Sequence, residues 1–193
     1  MGDVSERNAV ELKGLRDALN EDYKWIAARL DESQSAKRIY VRTIFANFEA
    51  ILWSVRRSAA WSAKKGRLQA TDMECMALQD QSFFVDNDGD VKDKTSYVSL
   101  IVALKMVFKI TTRGLTPAPA KLSEIDLTSI KAGIAIRNRL THPKNEDDCE
   151  VSDADLAEIG RCGTALFKCL TGILDGLERH QGADKAWPPG ALL

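Results

Sequence analysis

The chain has 193 residues, with 27 lysines and arginines against 28 aspartates and glutamates and a formal net charge of −1. That length suits one domain with a full core. The near-neutral balance excludes a chain drawn to nucleic acid by its overall field, so any anion site must be a local patch. The opening MGDVSERNAVELKG is polar and helical in pattern, unlike a secretory signal. The most apolar run, YVSLIVALKMVFKI (97–110), carries Lys105 and Lys109 and is too short for a membrane span, so it reads as a buried helix. Cys75, Cys149, Cys162 and Cys169 form no CxxC pair and read as reduced thiols; with no secretory signal the expected location is the cytoplasm and no membrane is expected as a partner.

Helical spacing dominates. Leu12, Leu15, Leu19, Ile26 and Leu30 predict one long amphipathic helix over about 5–31. ESQS (32–35) is a short connection holding N-cap residues. Ile44, Phe45, Phe48, Leu52 and Val55 mark the next helix, which runs to about Lys64. Lys64, Lys65 and Gly66 form its stop signal, cations on the dipole followed by a left-handed glycine cap. Trp53 and Trp61 on this helix read as packing residues. Thr71-Asp72-Met73-Glu74 fits a capping box. DNDGD (86–90) reads as a plain turn, because it lacks the glycine and glutamate positions of a calcium loop. The connections at 82–95 and 111–123 are long enough for one crossover. Residues of about 96–111 form the most apolar helix, expected at the centre of the bundle. A helix over about 124–142 is stopped by Pro143, PKNEDDCEV (143–151) is an acidic loop, and Ser152-Asp153-Ala154-Asp155 opens a last helix with its stripe on Leu156, Ile159, Leu166, Leu170, Ile173 and Leu177. The expectation is an all-α, antiparallel up-and-down bundle of about five to six helices with no competing strand, one domain over 1–180, and a flexible tail over 181–193.

IRNRLTHPKN (136–145) raises the functional question, since it concentrates two arginines, an asparagine and one of two histidines at a helix end. On a helical wheel Leu127, Ile130, Ile134 and Thr141 share one arc, and Arg137 falls inside it, where a charge is costly unless it is paired or lines a cleft. Asn138 sits at the edge of the arc with His142 one turn on, and Arg139 points toward solvent. The plain reading is a basic last turn that offsets the helix dipole and ends at a proline.

Arg137-Asn138-Arg139-Leu140-Thr141-His142 also resembles the R-N-x-x-x-H form of the R-x4-6-H motif of the HEPN superfamily of all-helical ribonucleases, which lies near the end of a late helix in a small bundle. Arg137, Asn138 and His142 match the motif's arginine, its following polar residue and its histidine. The resemblance implies RNA cleavage without a metal or other cofactor, by attack of the RNA's own 2′-hydroxyl to leave a 2′,3′-cyclic phosphate. The residue types suit that chemistry. Histidine can move protons near neutral pH, arginine presents a permanent planar charge to phosphate oxygens, and Asn138 can hold either group by hydrogen bonds. The resemblance further implies a homodimer with one composite site, to which the motif helix and the 96–111 helix would contribute, and a toxin or defence role restrained by an antitoxin or regulatory protein.

The resemblance also implies a supporting polar residue from an early helix, for which Glu49, at the edge of the second apolar stripe, is the candidate to orient Arg137 or His142; Thr141 and Lys144 stand beside the motif. Arg56, Arg57, Lys64 and Lys65, with Arg67 and Arg139, form basic candidates for an RNA backbone. Each has a plainer alternative: an edge charge bridging to a neighbour for Glu49, and a solvated helix end for the cations. No metal-ligand set is expected; Cys162 and Cys169, seven apart on one helix, read as core neighbours. Two rival functions stay open: a non-catalytic bundle of the same fold that binds RNA, a nucleotide or a partner, and a structural helical dimer.

Overall fold

Local signals decide where the helices begin and end. The computed structural model describes residues 4–115 and 126–181. It contains α1 (Val4–Ala27), α2 (Gln34–Lys64), α3 (Asp72–Leu78), β1 (Gln81–Val85), β2 (Val91–Thr95), α4 (Leu100–Gly114), α5 (Leu127–Thr141) and α6 (Asp153–Gln181), with a 3-10 turn at Asp147–Cys149 before α6. Ser33 caps α2, its Oγ accepting from the Ala36 N–H. Gly66 at φ 69° ends α2: its N–H donates to the Ala63 carbonyl and that of Arg67 to the Ser62 carbonyl, the paired bonds of a Schellman cap. Thr71 and Glu74 form the capping box of α3, each side chain accepting from the other's backbone N–H. The described residues are thus mostly helical, as the periodicity requires. Of the expected tail (181–193) all but Gln181, which ends α6, lies outside the described residues, as does most of the proline-bearing connection (113–123).

The expectation of no strand is overturned. Residues 82–95, read as a connection, hold an antiparallel hairpin in the register Gln81↔Thr95 to Val85↔Val91. Asp86 builds its turn, the carboxylate accepting from the N–H groups of Asp88 and Asp90 and pairing with Lys92, while Gly89 takes the positive φ of 85°. DNDGD is therefore a turn that shapes itself by hydrogen bonds.

The chain divides into two compact units, and α2 and α6 each contribute to both. In the first unit (described residues 4–51 and 126–169), Ile26 of α1, Val41, Phe45 and Phe48 of α2, Ile130 and Leu140 of α5, and Ile159, Cys162 and Leu166 of α6 are buried. Tyr23 and Tyr40 stack α1 against α2 at 5.8 Å, and burial with the Tyr23 contact pushes the Tyr40 hydroxyl up to about 12.

In the second unit (described residues 52–115 and 170–181), Leu52, Val55 and Ala59 of α2, Leu78 of α3, Leu104, Val107 and Phe108 of α4, and Leu170, Ile173 and Leu177 of α6 are buried. α4 is not enclosed: Val102, Lys105 and Lys109 are exposed along one face. Arg56 is 6 % exposed, turned inward with its guanidinium forked onto Asp80 at 2.9 and 2.6 Å and donating to the Ala77 carbonyl. Asp80 itself sits at φ 56° and its carbonyl accepts from Ser96, so this pair ties the hairpin base to α2. Arg56 is accordingly a structural residue rather than a surface cation, which corrects its place among the backbone-binding candidates. Trp53 is 41 % exposed, which corrects its reading as a packing residue.

Candidate functional site

α5 positions the motif, and its packing explains how. Asp126 caps its first turn, accepting from the Ser129 N–H, and this bond chiefly holds the Asp126 carboxyl below its ordinary value. The buried face of α5 is Ser129, Ile130, Gly133 and Leu140. A Cβ on Gly133 would stand 2.6 Å from the Cys162 Sγ and 2.7 Å from its Cβ, so the glycine lets α5 lie directly against α6. The expected arc of Leu127, Ile130, Ile134 and Thr141 shares only Ile130 with this face, since Leu127 and Ile134 are half-buried. Thr141 is exposed, and its Oγ1 donates back to the Arg137 carbonyl. Arg137 lies about 40° from the centre of the true face, at the margin of the core.

That margin is where Arg137 finds its partners. One of its nitrogens donates to the Glu49 Oε1 of α2 at 2.8 Å, and the other to the Asn138 Oδ1 at 3.2 Å. The ion pair is partly open to water, with the arginine side chain 33 % and the glutamate 46 % exposed. Glu49 and Arg137 are 88 residues apart in the chain, and the helix pairing alone brings them together. Asn138 and His142 are exposed. His142 ends the helix: its N–H donates to the Asn138 carbonyl, while its φ of −129° and ψ of 61° take the next residue, Pro143, off the helical path.

Arg139 does not point to solvent. One of its nitrogens donates to the carbonyls of Asp148 at 3.1 Å and Glu150 at 2.7 Å, with Asp147 at 3.4 Å, and the other to the Asp155 carboxylate at 3.0 Å. The acidic loop folds over it because that one guanidinium satisfies the Asp148 and Glu150 carbonyls and adds to the bond that the Asp147 carbonyl already accepts from the Glu150 N–H. Burial raises the Asp155 carboxyl, but the Ser152 N–H and hydroxyl and the Arg139 charge outweigh it and leave it below its ordinary value. As a candidate for RNA contact, Arg139 has its fork committed within the protein.

Three residues that the motif did not point to complete the support. Arg42 donates to the Leu140 carbonyl at 2.6 Å, Arg38 to the Cys149 carbonyl at 3.1 Å, and Gln34 exchanges two hydrogen bonds with the backbone of Val151. All three lie on α2 at spacings of four, so a polar row beside an apolar stripe was the available signal. Lys144 is exposed, and its backbone N–H donates to the Asp148 carboxylate. The other basic candidates, Arg57, Lys64 and Lys65, are exposed and belong to the second unit with Arg56.

The site therefore offers an arginine aimed by a carboxylate, an exposed amide and an exposed imidazole, on a helix end fixed by Arg42 and Arg139. Such a set can bind a phosphate and move a proton. Among the described residues no group of three or more histidines, cysteines, aspartates or glutamates gathers as a metal site, and no helix is long and apolar enough to cross a membrane. Comparison with protein-family models, curated proteins and solved structures returned no match to this chain.

Proposed function

We propose that the chain is an endoribonuclease of HEPN type that cleaves RNA without a metal. The observation that carries this reading is the grip of Glu49 on Arg137 at the helix end that also bears Asn138 and His142. The arginine sits at the core margin with a carboxylate to aim it, and the imidazole stands in water where a substrate can reach it. In the reaction His142 takes or returns the proton, while Arg137 meets the charge that builds on the phosphate oxygens. The 2′-oxygen bonds to phosphorus, the 5′-oxygen leaves with a proton, and the products are a 2′,3′-cyclic phosphate and a 5′-hydroxyl. Each motif supplies one histidine, so a second copy related by a two-fold axis supplies the other proton-transfer group. A cytoplasmic toxin or defence role, with a restraining partner protein, belongs to the same proposal.

A second reading has its own observation. An arginine already paired with a carboxylate, next to a solvent-exposed histidine, is also what a structural helix end or a non-catalytic binding module displays. An RNA cleavage assay in EDTA separates the two. The wild type is expected to yield cyclic-phosphate ends, His142→Ala and Arg137→Ala to lose at least about a hundredfold of the rate, and Glu49→Gln to lose less, since it keeps the shape and removes only the charge that orients Arg137. Equal cleavage by all four proteins, or none by a folded wild type, would favour the second reading.

A further inference from the structure

We propose that the C-terminal half of α2, with the residue that follows it, is a stacking platform for single-stranded RNA, built from Trp53, Arg57, Trp61 and Lys65. These residues recur every four positions and so form one ridge along the helix, each step about 6 Å and the whole about 18 Å long. The ridge alternates ring and cation. The Arg57 guanidinium lies 4.7 Å from the Trp53 ring centre, the Lys65 Nζ 5.9 Å from that of Trp61, and the Arg67 guanidinium 5.2 Å from the same ring. Arg57 and Lys65 are exposed, as is Trp53.

The charge is as one-sided as the geometry. No aspartate or glutamate occurs between Glu49 and Asp72, while the exposed Arg57, Lys64 and Lys65 all fall in that interval. Three acids of the same unit are engaged elsewhere: Asp80 with the buried Arg56, Glu74 with Arg113, and Asp86 with Lys92. Among the described residues, Arg29 over Trp25 differs in this respect, because it is flanked by Glu32 at 3.8 Å. Aromatic faces alternating with cations match a strand that offers bases and phosphates in turn. Bases stack on the rings, and the phosphates meet the guanidinium and ammonium groups. A duplex hides its base faces and leaves only the cations to act, so the platform selects single strands.

This inference deepens the ribonuclease reading by naming its substrate as single-stranded RNA, and it rests on that reading for the choice of RNA. The test uses the full-length His142→Ala protein, in which the proposed cleavage is blocked. Its binding to a fluorescein-labelled 16-nucleotide oligouridylate is measured by anisotropy, alongside quenching of tryptophan fluorescence by the unlabelled strand. Trp53→Ala is expected to weaken binding by roughly fivefold to a hundredfold and to remove much of the quenching. Arg57→Glu is expected to weaken binding and to reduce the salt slope by about 0.7 or more. Both side chains are exposed, so unchanged thermal midpoints keep the comparison fair. Affinity unaffected by either variant overturns the platform, as does tight binding of duplex RNA or polyglutamate with the same response to the variants. Loss of binding in both variants, with no cleavage by the wild type, upholds the platform and removes the ribonuclease reading. Cleavage by the wild type with no effect of the variants does the reverse.

Discussion

Single atoms decide how close α5 can come to its neighbour, and Gly133 is the sharpest case. Gly133→Ala would set a methyl 2.6 Å from the Cys162 Sγ and 2.7 Å from its Cβ, distances at which something must move. The expected cost is about 1–3 kcal/mol of stability, read as a lowered midpoint in urea unfolding. Adding Cys162→Ala should not restore the loss, because the Cβ at 2.7 Å remains; full rescue by that second change would show that the sulfur alone was the obstacle. Burial also pushes the Cys162 and Cys169 thiols up to about 12, which fits their reading as core neighbours. The same scale shows what was legible in the sequence. Arg137 stood out because a charge fell in an apolar arc, and its partner Glu49 was a candidate through the family resemblance and its place at the edge of the α2 stripe. Arg139 was misplaced because all its acceptors but the Asp155 carboxylate are backbone carbonyls of a loop, and carbonyls carry no sequence signature.

Elements were legible where periodicity runs long. The helices carry repeated stripes and strong caps, so their existence followed from spacing alone, with ends displaced by a few residues. The hairpin did not, since β1 is five residues of QSFFV, β2 is five of VKDKT, and most of both strands is exposed. With no buried face there is no clear alternation to read. What holds the hairpin base is a long-range fork, Arg56 onto Asp80, and it gives an element-scale prediction. Arg56→Leu leaves the Asp80 carboxylate, which is 18 % exposed, without its counter-charge. Breaking a buried pair in this way costs about 3–5 kcal/mol. Adding Asp80→Asn should recover part of the loss, because asparagine tolerates the φ of 56° and carries no charge to strand. The Arg56 Nε is buried and has no hydrogen-bond partner, so the leucine also removes one uncompensated donor. A double-mutant cycle by chemical denaturation measures the coupling; additive effects of the two changes would show that the fork contributes nothing as a pair.

At the scale of the whole molecule, carboxylates do the fastening in both units, and this makes the fold sensitive to acid. Asp126, Asp155 and Glu158 in the first unit, and Glu74 and Asp86 in the second, all titrate below their ordinary values. The leading causes differ: backbone N–H groups at Glu74 and Asp126, the Lys92 and Arg161 side chains at Asp86 and Glu158, and at Asp155 a burial that opposes the shift but is outweighed by Ser152 and Arg139. A carboxyl group with a depressed folded value binds fewer protons folded than unfolded. Its contribution is complete above the unfolded values of about 3.9 for aspartate and 4.3 for glutamate, and is lost as the pH falls through the folded ones. The thermal midpoint should therefore hold near neutral pH and decline steadily from about pH 5 downward. Because the contributions are spread over two units, no single change should abolish the decline. Asp155→Asn together with Glu74→Gln should lower the midpoint at neutral pH and make the acid limb shallower, one change in each unit. Circular dichroism melts at half-unit steps from pH 7 to pH 3 compare the two limbs. Parallel limbs for the wild type and the double variant would mean that these two carboxylates add no acid-labile stability, and that the acid response lies with other groups.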